Sequence, residues 1–358
     1  MARRIVGLDI GHTGVRGVAV KHGTSRGRPR TTVSAVGAAP VPPGSVVEGE
    51  VVDVDAVADA IKLAWSGTRL GKDVTLGVSG RHVIVRQMDL PWLDDKAFRL
   101  ALPYRVASHL PFAAEDAVLD YVSIGEGPPG EGGVRTRRIL LVAVTRESVT
   151  RAVRAAQKAG LHPVKVDLAG LALLRIGAIA PLADGSAEAL VDLGAEVTTL
   201  VIHLGGVPRF VRVLSGEGGL KITKALMDRM SLTFDQAEDA KGMLGILAAP
   251  NRQESQEDWA IRAIIERITD GTVAAVRGSL DYFLANAPDV EGLGRVILSG
   301  GGAHMPGIVE RFGDGLGIPV IGVDPLLGLR LKRRAARAAA PLAPELATAT
   351  GLSLAEVA

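Results

Sequence analysis

The sequence predicts an α/β protein of two duplicated domains, with a smaller α+β subdomain inserted into the first. An apolar strand, an aspartate, a glycine turn and a second apolar strand follow one another around Asp9 and again around Asp192. Two copies of this strand–aspartate–glycine turn–strand pattern indicate a duplicated domain. Between residues 83 and 167, strand and helix patterns alternate over a stretch sized like a compact subdomain. A third glycine turn, Gly300–Gly302, follows another apolar run.

Composition limits the functional classes. The chain has 358 residues, 47% of them hydrophobic, which is enough for two domains and a large core. A net charge of +2 argues neither for nor against acidic partners. No basic stripe resembles a nucleic-acid footprint, and 3% aromatic residues argue against aromatic stacking platforms. The absence of cysteine excludes disulfides, thiolate catalysis and cysteine metal sites. Because neither a signal-peptide pattern nor an apolar run of about 18 residues is present, we expect a cytoplasmic protein that reaches membranes only through partners.

One basic cluster stands out near the end of the chain. Its members are Arg330, Lys332, Arg333, Arg334 and Arg337. We interpret it as a solvated helix face, and a weak contact with anionic lipid is the alternative.

The first hairpin carries the first chemical signal. The apolar runs Ile5–Ile10 and Val15–Val20 flank a glycine turn, which predicts a β-hairpin with Asp9 at the end of its first strand. Backbone N–H groups in such a turn form an anion-binding concavity, and a carboxylate is a ligand that Mg²⁺ prefers. Taken alone, the pattern fits a tight hairpin with an exposed acid equally well.

The first half continues with a third strand at 31–36, a helix capped by Asp53 that ends near Trp65, and a strand at 74–78. The insertion contains strands at 83–88, 118–124, 138–144 and 163–167 and helices at 94–109 and 146–159. Pro103 should kink or divide the first of these helices. An apolar helix at 168–179 should connect the halves. We therefore assign residues 1–81 to the first domain, 82–165 to the insertion and 166–185 to the connection.

The second half repeats the hairpin around Asp192. Further elements are a strand at 209–214, helices at 221–230, 235–244 and 258–285, a strand at 295–299, and helices at 307–312 and 344–357. We assign residues 186–220 and 287–340 to the second domain, 221–286 to its helical subdomain, and 341–358 to a C-terminal helix that returns to the first domain.

Four glycine-bearing turns lie at the ends of these strands: the two hairpin turns, Gly216–Gly219 and Gly300–Gly302. Ligands of open α/β sheets bind outside such strand ends. The duplication, together with Leu298-Ser-Gly-Gly-Gly-Ala-His-Met-Pro-Gly307, resembles the actin-like ATPase superfamily, which includes actin, DnaK-type chaperones, sugar kinases and the cell-division protein FtsA. The resemblance implies that the first hairpin is the phosphate-1 loop, the second is phosphate-2, and the third turn is the adenosine motif.

Nearly the full chain resembles the PilM family of type IV pilus assembly proteins, and the insertion takes the place of the FtsA/PilM-type subdomain 1C. The resembling motifs are Gly7-Leu-Asp-Ile-Gly11, Met88-Asp-Leu-Pro91, His109-Leu-Pro-Phe112, Leu119-Asp-Tyr121, Val142-Ala-Val144, Ala159-Gly-Leu161, Val191-Asp-Leu-Gly-Ala195 and Gly300-Gly-Gly-Ala-His-Met-Pro-Gly307. FtsA proteins typically end in an amphipathic membrane helix, whereas the tail here lacks the basic and aromatic residues of such an anchor.

The resemblance implies an ATP–Mg²⁺ site. Asp9 and Asp192 would hold Mg²⁺, mostly through water, and Arg16 would pair with phosphate. Backbone N–H groups would be offered to the phosphates by Gly11, His12 and Thr13 on one side and by Gly194, Ala195 and Glu196 on the other. The remaining cofactor-binding residues would be Gly218 and Gly219 beside the nucleotide, Glu238 and Lys241 at the ribose, and Gly301, Gly302 and Met305 at adenine.

Several assignments have a plain structural alternative. The i,i+3 spacing of Glu238 and Lys241 also suits a surface ion pair. Asp167 matches the acid with which chaperone-like relatives orient a water for hydrolysis, but a helix N-cap explains it as well. His12 stands where the family usually has serine, and a surface histidine is an equal interpretation.

Three other positions also depart from the family. Gly14 replaces a serine, Arg16 a lysine and Val197 a hydroxyl residue, and these changes are expected to weaken nucleotide affinity or hydrolysis.

The resemblance implies a cytoplasmic scaffold at the inner face of the membrane, at most a slow ATPase. Its expected partners are the N-terminal peptide of PilN, docked beside the insertion, and other inner-membrane platform proteins of the pilus, with self-association as a further expectation. ATP–Mg²⁺ would switch it by closing the two domains. The alternatives are an FtsA-like division or filament-forming protein and a small-molecule kinase.

Overall fold

The computed structural model describes residues 4–25, 28–176, 182, 185–246 and 255–355. The first part of the chain forms β1 (Arg4–Ile10), β2 (Gly14–Ser25), β3 (Arg28–Pro40), β4 (Val46–Val47), β5 (Glu50–Val51), α1 (Val54–Trp65) and β6 (Asp73–Val78). The side chain of Asp53 accepts the N–H groups of Asp55 and Ala56, which explains why α1 begins where the sequence predicts.

The insertion contains a three-stranded antiparallel sheet and two helices. Its elements and those that follow it are β7 (Ile84–Pro91), α2 (Asp95–Val106), β8 (Ala117–Glu126), β9 (Thr136–Thr145), α3 (Arg146–Lys158), β10 (His162–Leu168) and α4 (Ala169–Leu173). Pro103 lies inside α2 without ending it, and the helix instead gives way to a 3₁₀ turn after Val106.

The second half contains β11 (Ala187–Leu193), β12 (Val197–Leu204), β13 (Val207–Ser215), α5 (Gly219–Met230), α6 (Phe234–Leu244), α7 (Gln256–Asn286), β14 (Leu293–Ser299), α8 (Ile308–Leu316), β15 (Val320–Gly322), β16 (Arg330–Leu331), α9 (Arg333–Ala339) and α10 (Ala347–Ser353). A capping box between Thr233 and Gln236 starts α6. These elements agree with the predicted ones to within a few residues at most ends.

Both predicted hairpins form, each at the centre of its own sheet. The first sheet has the order β10-β6-β1-β2-β3-β16, and the second has the order β13-β12-β11-β14-β15. Asp9 pairs with Arg16 across the first hairpin and Asp192 with Thr199 across the second. The two halves therefore repeat one arrangement, in which a parallel neighbour, β6 or β14, flanks the hairpin.

The insertion packs on the second domain as well as on the first. One apolar cluster joins Val83, Leu140 and Val144 of the insertion to Leu190 and Val201 of the second sheet. A separate cluster under α1 and α3 fills the first domain. The insertion therefore contributes side chains to apolar clusters of both domains.

Three expectations differ from the structure. The connecting helix predicted at 168–179 is only α4, which ends at Leu173; residues 177–181 and 183–184 lie outside the described part. The last helix, predicted at 344–357, is α10 preceded by a 3₁₀ segment at 340–346, and residues 356–358 are not described. The chain re-enters the first sheet at β16, before the predicted boundary at residue 341, because Arg330 and Leu331 pair with β3.

Candidate functional site

A cleft of about 560 Å³ lies between the two domains. Both hairpin turns line it, together with the start of α5, one face of α6, the glycine turn after β14 and the segment before α10. It brings together every residue predicted to bind a cofactor or a metal. Asp167, the predicted catalytic residue, does not line it.

Two half-buried carboxylates, Asp9 and Asp192, line the cleft from its two hairpins. Burial raises the pKa of Asp9 to about 6; Arg16 opposes this rise, and Asp192 and Glu345 add to it. Burial also raises the pKa of Asp192, against the hydrogen bond that Ser299 Oγ donates to its Oδ1 at 2.7 Å and the charge of Arg16. Two incompletely compensated acids with hard oxygen donors fit a hydrated divalent cation such as Mg²⁺. The described residues contain no cluster of three or more metal-ligating side chains, so most of its coordination would come from water and ligand.

Arg16 is a cation of the cleft lining that hydrogen bonds hold in place. Its Nε donates to Glu345 Oε2 at 2.9 Å and its NH1 to Gly14 O at 3.2 Å, while Asp9 Oδ2 lies 4.0 Å from NH1. Sequence reasoning missed Glu345. It reaches the site only because the end of the chain folds back on the first sheet, and an acid in a Pro- and Ala-rich stretch gives no local signal.

The backbone N–H groups of the two turns are only partly available. Gly11 N already donates to Gly14 O at 3.0 Å, and Gly194 N to Val197 O at 3.1 Å. Each N–H closes its own turn, so the role of Gly11 and Gly194 as phosphate donors stays a prediction that would require these hydrogen bonds to be exchanged. The N–H groups of His12, Thr13, Ala195 and Glu196 remain the candidates.

The start of α5 packs directly against the second turn. A Cβ on Gly218 would lie 2.3 Å from Ala195 O, so only glycine fits there. Gly219 N and Leu220 N donate to the carbonyls of Gly194 and Ala195 at 3.0 and 2.8 Å. The glycine turn predicted to pass close to a ligand thus also fixes the shape of the second hairpin turn.

Glu238 and Lys241 form the ion pair that the spacing suggested, but it lines the cleft. Lys241 Nζ donates to Glu238 Oε1 at 2.6 Å, to Thr223 Oγ1 at 3.0 Å and to Gly219 O at 3.3 Å. The pair is therefore tied to the start of α5 beside the cleft and is not an isolated surface pair.

The third glycine turn closes the other wall. Gly300 has a φ of 86°, and a Cβ there would lie 2.6 Å from Leu193 O. Gly301, Gly302 and the buried Met305 follow it along the cleft. A hydroxyl on α7, Thr269 Oγ1, is buried in the cleft lining without a hydrogen-bond partner among the described residues. Because buried hydroxyls are usually hydrogen-bonded, Thr269 Oγ1 calls for an ordered water or a ligand atom as its partner.

Asp167 is engaged elsewhere. Its Oδ2 lies 2.8 Å from Arg175 NH2, and its Oδ1 accepts the N–H of Leu168 at 2.9 Å. The N-cap interpretation is wrong, because α4 begins without a side-chain cap. The catalytic role stays a prediction for a residue that lies outside the cleft lining. The Asp167 carboxylate instead links the end of β10 to Arg175 in the turn after α4.

Three residues form a contact between the first domain and the second hairpin turn, which we call the clasp: His12, Glu48 and Glu196. Glu196 Oε2 accepts the N–H of Glu48 at 2.6 Å and lies 3.0 Å from His12 Nδ1, which is 2.7 Å from Val46 O. Glu48 has a φ of 48°, a conformation that non-glycine residues adopt uncommonly. His12 is therefore a contact between the domains rather than a free surface histidine.

The clasp predicts a measurable coupling between His12 and Glu196. Because each side chain is only 15% exposed, a double-mutant cycle of His12→Ala and Glu196→Ala should give a coupling of about 0.5–1 kcal/mol in the free energy of unfolding. The matched control is the exposed Asp59–Lys62 pair of α1, where we expect a coupling near zero. Equal couplings at the two pairs would contradict the clasp.

Comparison with known proteins gives consistent matches. A family model described as type IV pilus assembly protein PilM matches residues 7–357. The cell division protein FtsA of Enterococcus faecalis is 26% identical over 343 residues, which is 85% of this chain and 75% of the relative. No helix in the described ranges is both long and apolar enough to span a membrane.

Solved structures extend these matches. A structure described as the PilM–PilN type IV pilus biogenesis complex superimposes with a TM-score of 0.80 and 25% identity, over 98% of this chain and 97% of that one. An MreB of Spiroplasma citri bound to AMPPNP superimposes with a TM-score of 0.54 and 14% identity, over 98% of this chain and 94% of that one. The ethanolamine utilization protein EutJ of Carboxydothermus hydrogenoformans superimposes with a TM-score of 0.52 and 17% identity, over 98% of this chain and 89% of that one. The last two share the fold alone.

Proposed function

The chain belongs to the type IV pilus assembly protein PilM family, and from this membership we propose that it is an ATP-binding scaffold of the pilus assembly machinery that binds the N-terminal peptide of PilN. The observation that carries the proposal is the likeness to a PilM solved with PilN, which extends over 98% of the chain at a TM-score of 0.80. We place the protein in the cytoplasm, at the inner face of the membrane through PilN and other platform proteins.

We propose that the cleft binds ATP with Mg²⁺. Asp9 and Asp192 would hold the hydrated ion, whose charge would be shared with the phosphates. Arg16 would exchange Glu345 for a phosphate oxygen, and the N–H groups of His12, Thr13, Ala195 and Glu196 would bind the phosphates from both sides. Glu238, Lys241 and Gly219 would contact the ribose, and Gly301, Gly302 and Met305 would pack on the base.

The proposed switch uses the packing of the insertion. A nucleotide held by both hairpin turns favours the closed arrangement of the domains, as the clasp does. The insertion shares its apolar cluster with the second sheet. Closure would therefore shift the insertion against the first sheet and alter a peptide groove beside it. Hydrolysis is expected to be slow, because the predicted water-orienting acid, Asp167, is paired with Arg175.

The test is the binding of a labelled PilN N-terminal peptide to the full chain, with and without ATP–Mg²⁺, using a scrambled peptide as the control. We expect specific binding whose affinity changes several-fold with nucleotide. Absence of binding in both conditions would contradict the partner assignment. Binding that is identical in both conditions would retain the partner and overturn the switch.

A second candidate is an FtsA-like filament former, which the similarity to FtsA of Enterococcus faecalis favours. Filaments that form with ATP and are visible by electron microscopy would support it. A homo-oligomer that does not extend would fit the scaffold.

A further inference from the structure

A second groove, of about 540 Å³, lies on the first domain and shares no lining residue with the cleft. It is formed where β2 and β3 meet β16 and the start of α9. The basic groove, as we call it, is lined by Lys21, His22, Gly23, Arg30, Thr32, Arg330, Leu331, Lys332 and Arg333. It lies toward the end of β2 opposite the hairpin turn, roughly 20 Å from it at 3.3 Å per residue.

The strand register explains why the cations gather there. Lys21 pairs with Thr32 and Thr32 with Arg330, so these three side chains stand in a row across neighbouring strands. Arg30 is two residues from Thr32 along β3 and projects from the same face. Opposite Arg30 is Gly23, where a Cβ would meet no atom within 4 Å, so the floor of the groove stays open.

Four cations of the basic groove have no acidic partner within the described part of the chain. Its lining, as far as the structure describes it, contains no acidic side chain. Lys21, Arg330, Lys332 and Arg333 make no ion pair with any described residue, whereas cations elsewhere do, as Arg138 does with Asp89 at 2.8 Å. Like charges held together repel one another and create a field that attracts anions. Their assembly from three strands and a helix start indicates an anionic ligand.

We propose that the basic groove binds the phosphate groups of an anionic lipid bilayer. Arg30, Arg330 and Arg333 are exposed and present their charges outward along one edge of the sheet, which suits a surface better than a single enclosed anion. The choice of lipid as the source of phosphate rests on the proposed function at a membrane. Contact with the bilayer through this edge would orient the domain while the opposite end of β2 faces the cleft.

The experiment is co-sedimentation of the full chain, without PilN, with vesicles of mixed phosphatidylglycerol and phosphatidylcholine and with vesicles of phosphatidylcholine alone. We expect binding only to the anionic vesicles, decreasing with salt. The variant Lys21→Gln/Arg330→Gln/Lys332→Gln should weaken it about 100-fold, because each cation near an anionic surface contributes separately. The matched control, Lys96→Gln/Arg154→Gln/Lys224→Gln, removes the same charge from exposed positions elsewhere and should retain most of the binding.

Three outcomes would overturn the proposal. The first is an equal loss of vesicle binding in the groove variant and the control variant. The second is binding of inorganic pyrophosphate with the same residue dependence but no binding to vesicles. The third is displacement of the protein from vesicles by duplex DNA at a concentration lower than that of the lipid. PilN-peptide binding measured on the same variants separates this result from the proposed function. The groove variant should bind the peptide normally, so failure of one assay leaves the other informative.

Discussion

Replacing Asp9 with asparagine is expected to abolish Mg²⁺-dependent nucleotide binding while stabilising the free protein at neutral pH. The carboxylate ends β1 inside the cleft, where burial raises its pKa to about 6. Asparagine has nearly the same shape but no charge to offer a divalent cation. The change therefore removes the proposed metal ligand and, at the same time, an unfavourably buried charge.

The sign of the stability effect follows from the pKa of Asp9. Its pKa is 3.8 in its ordinary environment and about 6 in the folded protein, so the folded state binds more protons between these values. The free energy of unfolding contributed by Asp9 therefore falls as pH rises from about 4 to about 6 and stays low above that. The asparagine variant does not lose this stability as pH rises, and we expect it to be more stable than the unchanged protein at pH 7 by on the order of 1–3 kcal/mol.

Denaturant unfolding at pH 4 and pH 7, together with nucleotide titration in Mg²⁺, checks both halves of this prediction. The two proteins should differ in stability at pH 7 and converge at pH 4. Asp289→Asn is the control with the opposite expected sign. A hydrogen bond from Arg209 lowers the pKa of Asp289, so removing the Asp289 carboxylate should destabilise the folded protein at neutral pH. Unchanged Mg²⁺-dependent binding in Asp9→Asn would remove Asp9 from the site.

The actin-like ATPase fold and the family were predictable because their signals are local. Each hairpin, with its aspartate and glycine turn, is encoded by one continuous stretch of sequence, and both hairpins are present in the structure. The likeness to PilM, MreB and EutJ structures confirms the fold class.

Contacts between distant segments explain what the sequence could not predict. Glu345 reaches Arg16 only after the chain returns to the first sheet. The backbone pairing of Gly11 and Gly194 within their turns depends on turn geometry that glycine spacing does not determine. Asp167 finds Arg175 beyond a helix that is much shorter than its apolar pattern suggested. Each of these outcomes depends on a partner or a geometry outside the motif that was interpreted.

The second large effect is expected at Gly351, in the helix that returns to the first domain. A Cβ on Gly351 would lie 1.9 Å from Ala172 O on α4, and one on Gly7 of β1 would lie 2.1 Å from Ala349 O on α10. Helix α10 is therefore held between a strand and a second helix by direct backbone contact on both sides. Neither obstacle is a side chain that can turn away, so Gly351→Ala must push α10 off its position, at an expected cost of about 3 kcal/mol or more.

The matched control is Gly278→Ala, inside α7. A Cβ there meets nothing within 4 Å, so alanine should stabilise the helix by about 0.5–1 kcal/mol. Unfolding in denaturant would measure both variants, and a loss at Gly351 below 1 kcal/mol would contradict the tight packing. Because Glu345 and Thr348 line the cleft just before Gly351, a displaced α10 should also disturb Arg16. Nucleotide binding should therefore fall in Gly351→Ala even where the protein remains folded, which ties the shape of the cleft to the return of the chain end.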